Sequence, residues 1–88
     1  MVERKIQVIN KLGLHARPSS TLAQTASKFK SEIKLQKGEM EVNAKSILGV
    51  MMLAAEVGSE ILLKADGEDE EQAVETLVKL FEEKFGEE

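Results

Sequence analysis

The chain has 88 residues, 42% of them hydrophobic and 32% charged, which predicts one small domain over residues 1–88. It contains no cysteine, which excludes disulfides, thiolate metal sites and cysteine nucleophiles, and no apolar run near the ~20 residues that cross a bilayer, so we expect a cytoplasmic protein without direct membrane insertion. Its net charge of −4 and its lack of Trp and Tyr argue against nucleic acid as a partner.

The first predicted elements are a strand and a helix joined by a turn. Apolar and polar side chains alternate from Val2 to Ile9, which predicts a strand with one wet face. The segment NKLGLHARPSS predicts a turn and a helix start, where Pro18 fits because the first helical turn needs no hydrogen-bonded N–H groups. The helix is expected from about Ala16 to about Lys28. Its apolar residues at helical spacing are Leu22, Ala23, Ala26 and Phe29.

A hairpin and a short apolar helix are predicted next. Alternating residues on either side of a turn at Lys37-Gly38 indicate two tightly connected strands. The apolar residues of these strands are Ile33 and Leu35, then Met40 and Val42. Ser46 opens the stretch ILGVMMLAA, which is too short and too apolar for an ordinary surface helix and predicts one or two helical turns.

A strand and a helix complete the chain. Gly58 closes the apolar stretch, Glu60 to Ala65 alternates as a further strand, and Asp66-Gly67 ends it. Acidic residues 68 to 71 suit the N-terminus of a helix. The core stripe of that helix is Ala73, Leu77, Leu80 and Phe81. The order βαββαβα predicts an α+β fold, an open-faced sandwich with three helices packed on one face of a four-stranded antiparallel sheet.

His15 is the only histidine and the first candidate functional residue. A single histidine in a small domain is most often structural or merely exposed, but this one lies at a predicted helix start. The partial positive charge and unpaired N–H donors there favour a neutral imidazole and an anion such as a phosphoryl group. Arg17 adds a planar set of donors suited to phosphoryl oxygens, and Ser19 and Ser20 offer hydroxyls nearby. The alternatives are a solvated Arg17 and serines that only serve the helix start.

Two segments carry a resemblance to a known family. GLHARPSS closely resembles the active-site segment of the HPr family of phosphocarrier proteins, and KSILGVMML resembles the regulatory serine segment of that family at its usual spacing. The resemblance covers essentially the whole chain, including the segment ADGEDEEQA that leads into the last helix. The chain departs from the commonest family form at Ser19, where alanine is frequent, and at Leu12, where many members have a small polar residue.

The resemblance implies a carrier of the phosphoenolpyruvate-dependent sugar phosphotransferase system rather than an enzyme. Enzyme I, phosphorylated by phosphoenolpyruvate, would pass its phosphoryl group to Nδ1 of His15, and the resulting phosphohistidine would donate it to the IIA domain of a sugar permease. Arg17 would neutralise charge during transfer, and no metal or organic cofactor would be needed on the carrier. We expect the carrier to be a monomer.

Ser46 has two interpretations that are compatible with each other. A serine that precedes a helix commonly caps its free N–H groups, which contributes about 1 kcal/mol. By resemblance, many Gram-positive relatives phosphorylate this serine with HPr kinase/phosphorylase, and the product acts as a corepressor for the catabolite control protein. Enteric relatives carry the same serine without that regulation, so Ser46 alone leaves regulation through catabolite repression open.

The short helix has apolar side chains on every side, and one core cannot cover all of them. These side chains are Ile47, Leu48, Val50, Met51, Met52 and Leu53. By resemblance, Ile47, Leu48 and Met51 form with Ser20 the docking surface for enzyme I and IIA domains, and flexible methionine suits a surface with several partners. The lysines at positions 28, 30 and 45 are expected to be solvated, and charge complementarity to acidic partners is the alternative.

Two alternative functions stay open. The first is a regulatory corepressor module that has lost phosphotransfer, although such relatives replace the active-site histidine and this chain keeps His15 and Arg17. The second is a phosphocarrier of the nitrogen branch, whose chemistry is identical. A metal-binding or small-molecule-binding domain is not favoured, because one histidine and no cysteine give no ligand cluster.

Overall fold

The helices and strands follow the predicted order in a computed structural model that describes residues 1–86. The elements are β1 (Val2–Gln7), α1 (Ala16–Ala26), β2 (Glu32–Lys37), β3 (Met40–Asn43), α2 (Ile47–Met52), β4 (Glu60–Asp66), α3 (Glu70–Glu82) and a 3-10 turn at Lys84–Gly86. The strands form one antiparallel sheet in the order β1-β4-β2-β3. The predicted α+β open-faced sandwich is confirmed. Within residues 1–86, every helix is too short or too polar to span a membrane.

The alternation along the strands separates a core face of the sheet from an open face. Leu35 of β2 lies opposite Leu63 of β4, and both are fully buried beneath the helices. On the open face, the Lys64 ammonium donates a hydrogen bond of 2.8 Å to the Glu41 carboxylate. This hydrogen bond lowers the pKa of Glu41. The sheet therefore has the one dry and one wet face that the sequence pattern predicts.

The helices bury one stripe each against the core face. The buried apolar side chains from the helices are Pro18, Leu22, Ala23 and Ala26 of α1, Val50 of α2, and Ala73, Val74, Leu77 and Phe81 of α3. Of the stripe predicted for the last helix, Ala73, Leu77 and Phe81 are buried, whereas Leu80 is partly buried and packs against the edge of the core. Val74 lies in the core instead, since it is adjacent to Ala73 and one turn from Leu77 on the same helix face.

Two elements end earlier than predicted. β1 ends at Gln7 instead of Ile9, because Gln7 lies opposite Glu60, where the partner strand β4 begins. α1 ends at Ala26 instead of Lys28. The N–H groups of residues 28 and 29 donate to carbonyls three residues back rather than four, and this tighter pattern closes the helix.

The hairpin turn is shifted by one residue from the prediction. Lys37 pairs with Met40 across β2 and β3, so the turn consists of Gly38 and Glu39 rather than Lys37 and Gly38. Gly38 has a φ of +60°, a left-handed conformation that glycine adopts without steric cost. A Cβ added at Gly38 would meet nothing within 4 Å. The turn therefore needs glycine for its backbone conformation alone.

The N-terminus of α3 is tied to the segment that leads into β2. The Asp69 carboxylate accepts hydrogen bonds from the Ser31 hydroxyl (2.5 Å), the Lys30 N–H (2.9 Å) and the Ser31 N–H (3.0 Å). These donors, with the Ser31 hydroxyl the strongest, lower the pKa of Asp69 from 3.8 to about 2. The acidic start predicted for the last helix is confirmed. Asp69 also binds Lys30 and Ser31, which are distant in the sequence.

Candidate functional site

His15 lies at the N-terminus of α1, as predicted. It is the N-cap residue, with φ −77° and ψ −169°, and it is half-buried. Its carbonyl accepts a hydrogen bond of 3.0 Å from the Ser19 N–H, the first bond of the helix. Pro18, which has no N–H, occupies the first turn, where an N–H has no acceptor within the helix. The positive end of the helix dipole therefore lies at His15 and favours an anionic group there.

Three polar side chains follow His15 in the first turns of α1. Arg17 is exposed to solvent, where its guanidinium is accessible to an anion. Ser19 is fully buried, and its hydroxyl donates to the Leu14 carbonyl at 3.0 Å. Ser20 is half-exposed and accepts a hydrogen bond of 3.3 Å from Gln24 Nε2. The expectation that Ser19 offers a hydroxyl at the site is therefore wrong, since this residue fixes the loop from inside.

The loop before His15 packs directly on the segment that follows α2. Asn10 Nδ2 donates to the Gly13 carbonyl at 2.6 Å, and the Leu14 N–H donates to the Ala55 carbonyl at 2.8 Å. Gly13 has a φ of +67°, and a Cβ there would lie 2.4 Å from the Ala55 oxygen. Sequence reasoning missed these supporting residues. The glycine inside LGLH was the available signal, but the Ala55 contact joins positions far apart in the chain.

Ser46 is the N-cap of α2. Its Oγ accepts a hydrogen bond of 3.0 Å from the Gly49 N–H, which confirms the capping interpretation and leaves phosphorylation of Ser46 a prediction. The neighbouring Lys45 is not the solvated lysine that was expected. Its Nζ donates to the Phe29 carbonyl at 2.8 Å, just beyond the end of α1. The residue before the N-cap of α2 is therefore bound to the segment that follows α1.

The other end of α2 is held by a lysine from the hairpin. Lys37 Nζ donates to the carbonyls of Leu53 (3.3 Å) and Ala54 (3.2 Å), which follow the last residue of the helix. A lysine ammonium suits this position because the C-terminus of a helix carries partial negative charge. Ala54 has a φ of +50°, a conformation in which glycine is the usual residue after a helix.

Four apolar side chains of α2 are exposed, while Val50 is fully buried. The exposed fractions are 69% for Leu48, 62% for Met52, 43% for Ile47 and 39% for Met51. α2 packs beside α1, whose N-terminus carries His15. The expectation that the helix exposes part of its apolar surface is confirmed. Met52 adds a residue that sequence reasoning did not place on the exposed side. We call Ile47, Leu48, Met51 and Met52 the α2 patch.

Comparisons with known proteins give a consistent result. A family model described as PTS-HPr, PTS HPr component phosphorylation site, matches residues 2–83. The phosphocarrier protein HPr of Cupriavidus necator is 49% identical over 87 residues, which cover 99% of this chain and 98% of that protein. A crystal structure of HPr from Thermoanaerobacter tengcongensis is 52% identical with a TM-score of 0.96, covering 100% of this chain and 99% of that chain.

A further match is to a protein whose description names catabolite repression. The solution structure of Crh, described as the Bacillus subtilis catabolite repression HPr, is 45% identical with a TM-score of 0.68 and covers 91% of this chain and 95% of that chain. Taken with the fold and the histidine at a helix N-terminus, the matches define a phosphocarrier protein of the phosphotransferase system. The chain belongs to the HPr family.

Proposed function

We propose that this chain accepts a phosphoryl group on His15 from phosphorylated enzyme I and donates it to the IIA domains of sugar permeases. The observation that carries this proposal is the position of its only histidine at the N-cap of α1, at the positive end of the helix dipole. The proposed carrier is the single domain of residues 1–88, acting as a monomer in the cytoplasm. The surface that each molecule presents to its partners is formed by α1 and α2, which pack beside each other.

The proposed chemistry consists of two in-line phosphoryl transfers. The lone pair of His15 Nδ1 attacks phosphorus, and the bond from phosphorus to the donor breaks and leaves its electron pair on the donor. The N-terminus of α1 and the Arg17 guanidinium stabilise the negative charge of the phosphoryl oxygens. In the second transfer the N–P bond breaks in the same way, and neutral His15 is restored. Neither step calls for a metal or an organic cofactor on the carrier.

The docking surface of this proposal consists of Ser20 and the α2 patch. Support comes from the exposure of the α2 patch and from the packing of α2 beside α1. Burial of such side chains in a complex contributes about 25 cal/mol per Å² of apolar surface removed from water. Methionine repacks easily against different surfaces, which suits a carrier that meets enzyme I and a IIA domain in turn.

The decisive experiment is incubation with phosphoenolpyruvate and the organism's own enzyme I. We expect one acid-labile phosphoryl group per molecule, detected by mass spectrometry, and its loss in His15→Ala. Arg17→Ala is expected to slow the transfer, while Arg4→Ala, an exposed arginine of β1, serves as the matched control. An unmodified wild-type protein, or a phosphoryl group on another residue, contradicts the proposal.

The acceptor decides between the sugar and nitrogen branches. Phosphorylated carrier is mixed with the IIA domain of a sugar permease or with the corresponding nitrogen-branch protein, and transfer is followed by the decay of phosphohistidine. We expect faster transfer to the sugar IIA domain. A preference for the nitrogen-branch acceptor would move the chain to that branch, and failure with every acceptor would favour a pure corepressor module.

A second proposed function is regulation through Ser46. This proposal is supported by its half-buried N-cap position and by the likeness to Crh, described as a catabolite repression HPr. HPr kinase/phosphorylase with ATP is expected to give an acid-stable phosphoserine that Ser46→Ala abolishes, and the product is expected to bind the catabolite control protein. Absence of product with the cognate kinase would leave Ser46 as a helix cap only.

A further inference from the structure

Leu12 is 75% exposed, the largest exposed fraction of any large apolar side chain within residues 1–86. It is accompanied by another exposed apolar residue, Val57 (55%). The two residues lie on segments that touch each other, because the Leu14 N–H bonds to the Ala55 carbonyl at 2.8 Å and the Gly58 N–H bonds to the Val8 carbonyl at 2.7 Å. Exposed apolar side chains on adjoining segments mark a contact surface more strongly than isolated ones.

The turn that carries Leu12 is held in one conformation. The Gly13 N–H donates to the Asn10 carbonyl at 3.1 Å, and Asn10 Nδ2 donates back to the Gly13 carbonyl at 2.6 Å. Leu14 is buried on the other side of the turn, and its carbonyl accepts the Ser19 hydroxyl. A side chain presented by a fixed backbone loses little conformational entropy when a partner covers it.

A protein that exchanges a phosphoryl group with His15 has to cover Leu12 as well. The two positions are three steps apart along the chain, so their Cα atoms are at most about 11 Å apart. A partner in an ordinary protein complex covers about 800 Å² of surface, which equals a disc of about 16 Å radius. Leu12 therefore lies inside the footprint of any such partner centred on His15, independently of the α2 patch.

We propose that Leu12, assisted by Val57, is a specificity-determining contact for the protein that phosphorylates His15. The occupant is the phosphoryl donor, enzyme I, with an apolar side chain facing Leu12, because the donor is the one partner common to every cycle while acceptors differ. This inference rests on the proposed function. Leu12 takes no part in the transfer itself, so its contribution lies in binding.

The test compares Leu12→Thr with Leu62→Thr in steady-state phosphorylation by enzyme I and phosphoenolpyruvate at varied carrier concentration. Leu62 is a suitable control because it is partly exposed on the open face of the sheet, opposite Lys5 and Gln36 and away from the helices. Leu12→Thr is expected to raise KM about tenfold with kcat within about twofold, the effect of one central apolar contact. Leu12→Met is expected to restore KM, since it keeps the apolar volume.

The results separate this inference from the proposed function. A wild-type protein that enzyme I does not phosphorylate overturns both. If the wild-type protein is phosphorylated and Leu12→Thr has the KM of Leu62→Thr, only the inference fails. A lower kcat at unchanged KM also overturns it, because Leu12 would then position His15 instead of contacting the donor. Thermal unfolding of each variant shows whether the fold is intact, and an unchanged or higher Tm is expected for Leu12→Thr because the side chain is exposed.

Discussion

Replacement of Gly13 by alanine tests the contact between the His15 loop and the segment after α2. The added Cβ would lie 2.4 Å from the Ala55 oxygen and 2.9 Å from the Glu56 Cα. Both are backbone atoms, so rotation of a side chain cannot relieve the contact. The φ of +67° is a second difficulty, because an L-residue is strained in the left-handed region.

The two effects have comparable magnitudes. Left-handed strain costs about 1 to 2 kcal/mol. Displacement of the two segments, with loss of the hydrogen bond from the Leu14 N–H to the Ala55 carbonyl, costs about 1 to 3 kcal/mol more. Gly13→Ala is therefore expected to lower the free energy of unfolding by about 2 to 5 kcal/mol. Since 1 kcal/mol corresponds to about 4 to 8 °C in a domain of this size, Tm falls by at least about 8 °C.

Gly38→Ala is the matched control, because Gly38 has nearly the same φ, +60°, and nothing within 4 Å of the added Cβ. It is expected to cost only the left-handed strain, about 1 to 2 kcal/mol. Both variants are measured by urea and thermal unfolding at pH 7, followed by circular dichroism. Equal losses of stability in the two variants would refute the argument that Gly13 is required by the Ala55 contact.

Three further predictions concern stability. Because the pKa of Asp69 is about 2 in the folded protein and 3.8 otherwise, its hydrogen bonds stabilise the fold above about pH 4, and this contribution is lost as the pH falls towards 2. Asp69→Asn should therefore be less stable than wild type at pH 7 and should lose less stability on acidification. The exposed control Glu75→Gln should follow the pH dependence of the wild type. A pH profile of Asp69→Asn that runs parallel to that of the wild type would contradict this prediction. Ala54→Gly should stabilise the protein by about 1 kcal/mol by relieving left-handed strain, and a lower Tm would argue against it. Leu63→Ala should cost about 2 to 5 kcal/mol in urea unfolding, since Leu63 is fully buried, and a smaller loss would show that the core collapses into the space.

The element order could be predicted because each strand and helix carries its own periodicity. Ile33 and Leu35 alternate with polar residues and face the core, and Leu22 and Ala26 share a buried helix face. The order of strands in the sheet could not be derived in the same way. The pairing of β4 with both β1 and β2 joins segments that are distant in sequence, and the alternation is the same for any choice of neighbour.

The candidate site shows the same limit. His15 and Ser46 could be placed at helix starts from local sequence signals, and both are N-cap residues in the structure. The direction of Ser19 could not, because its inward turn depends on the Leu14 carbonyl. Lys45 looks like a surface lysine in the sequence, since the carbonyl that it binds lies 16 positions away. The helix starts were predictable from local sequence signals, whereas the acceptors of Ser19 and Lys45 depend on the path of the folded backbone and were not.

The way in which the backbone of α2 is held in place affects how the α2 patch can evolve or be redesigned. Six residues are too few to hold a helix in water, so its backbone depends on Ser46 at its start and on Lys37 and Lys45, which bind carbonyls outside it. None of these three residues belongs to the α2 patch. The four exposed side chains can therefore be exchanged as a set while the backbone that displays them stays fixed. The exposed apolar surface of α2 and the contacts that hold its backbone are therefore supplied by different residues.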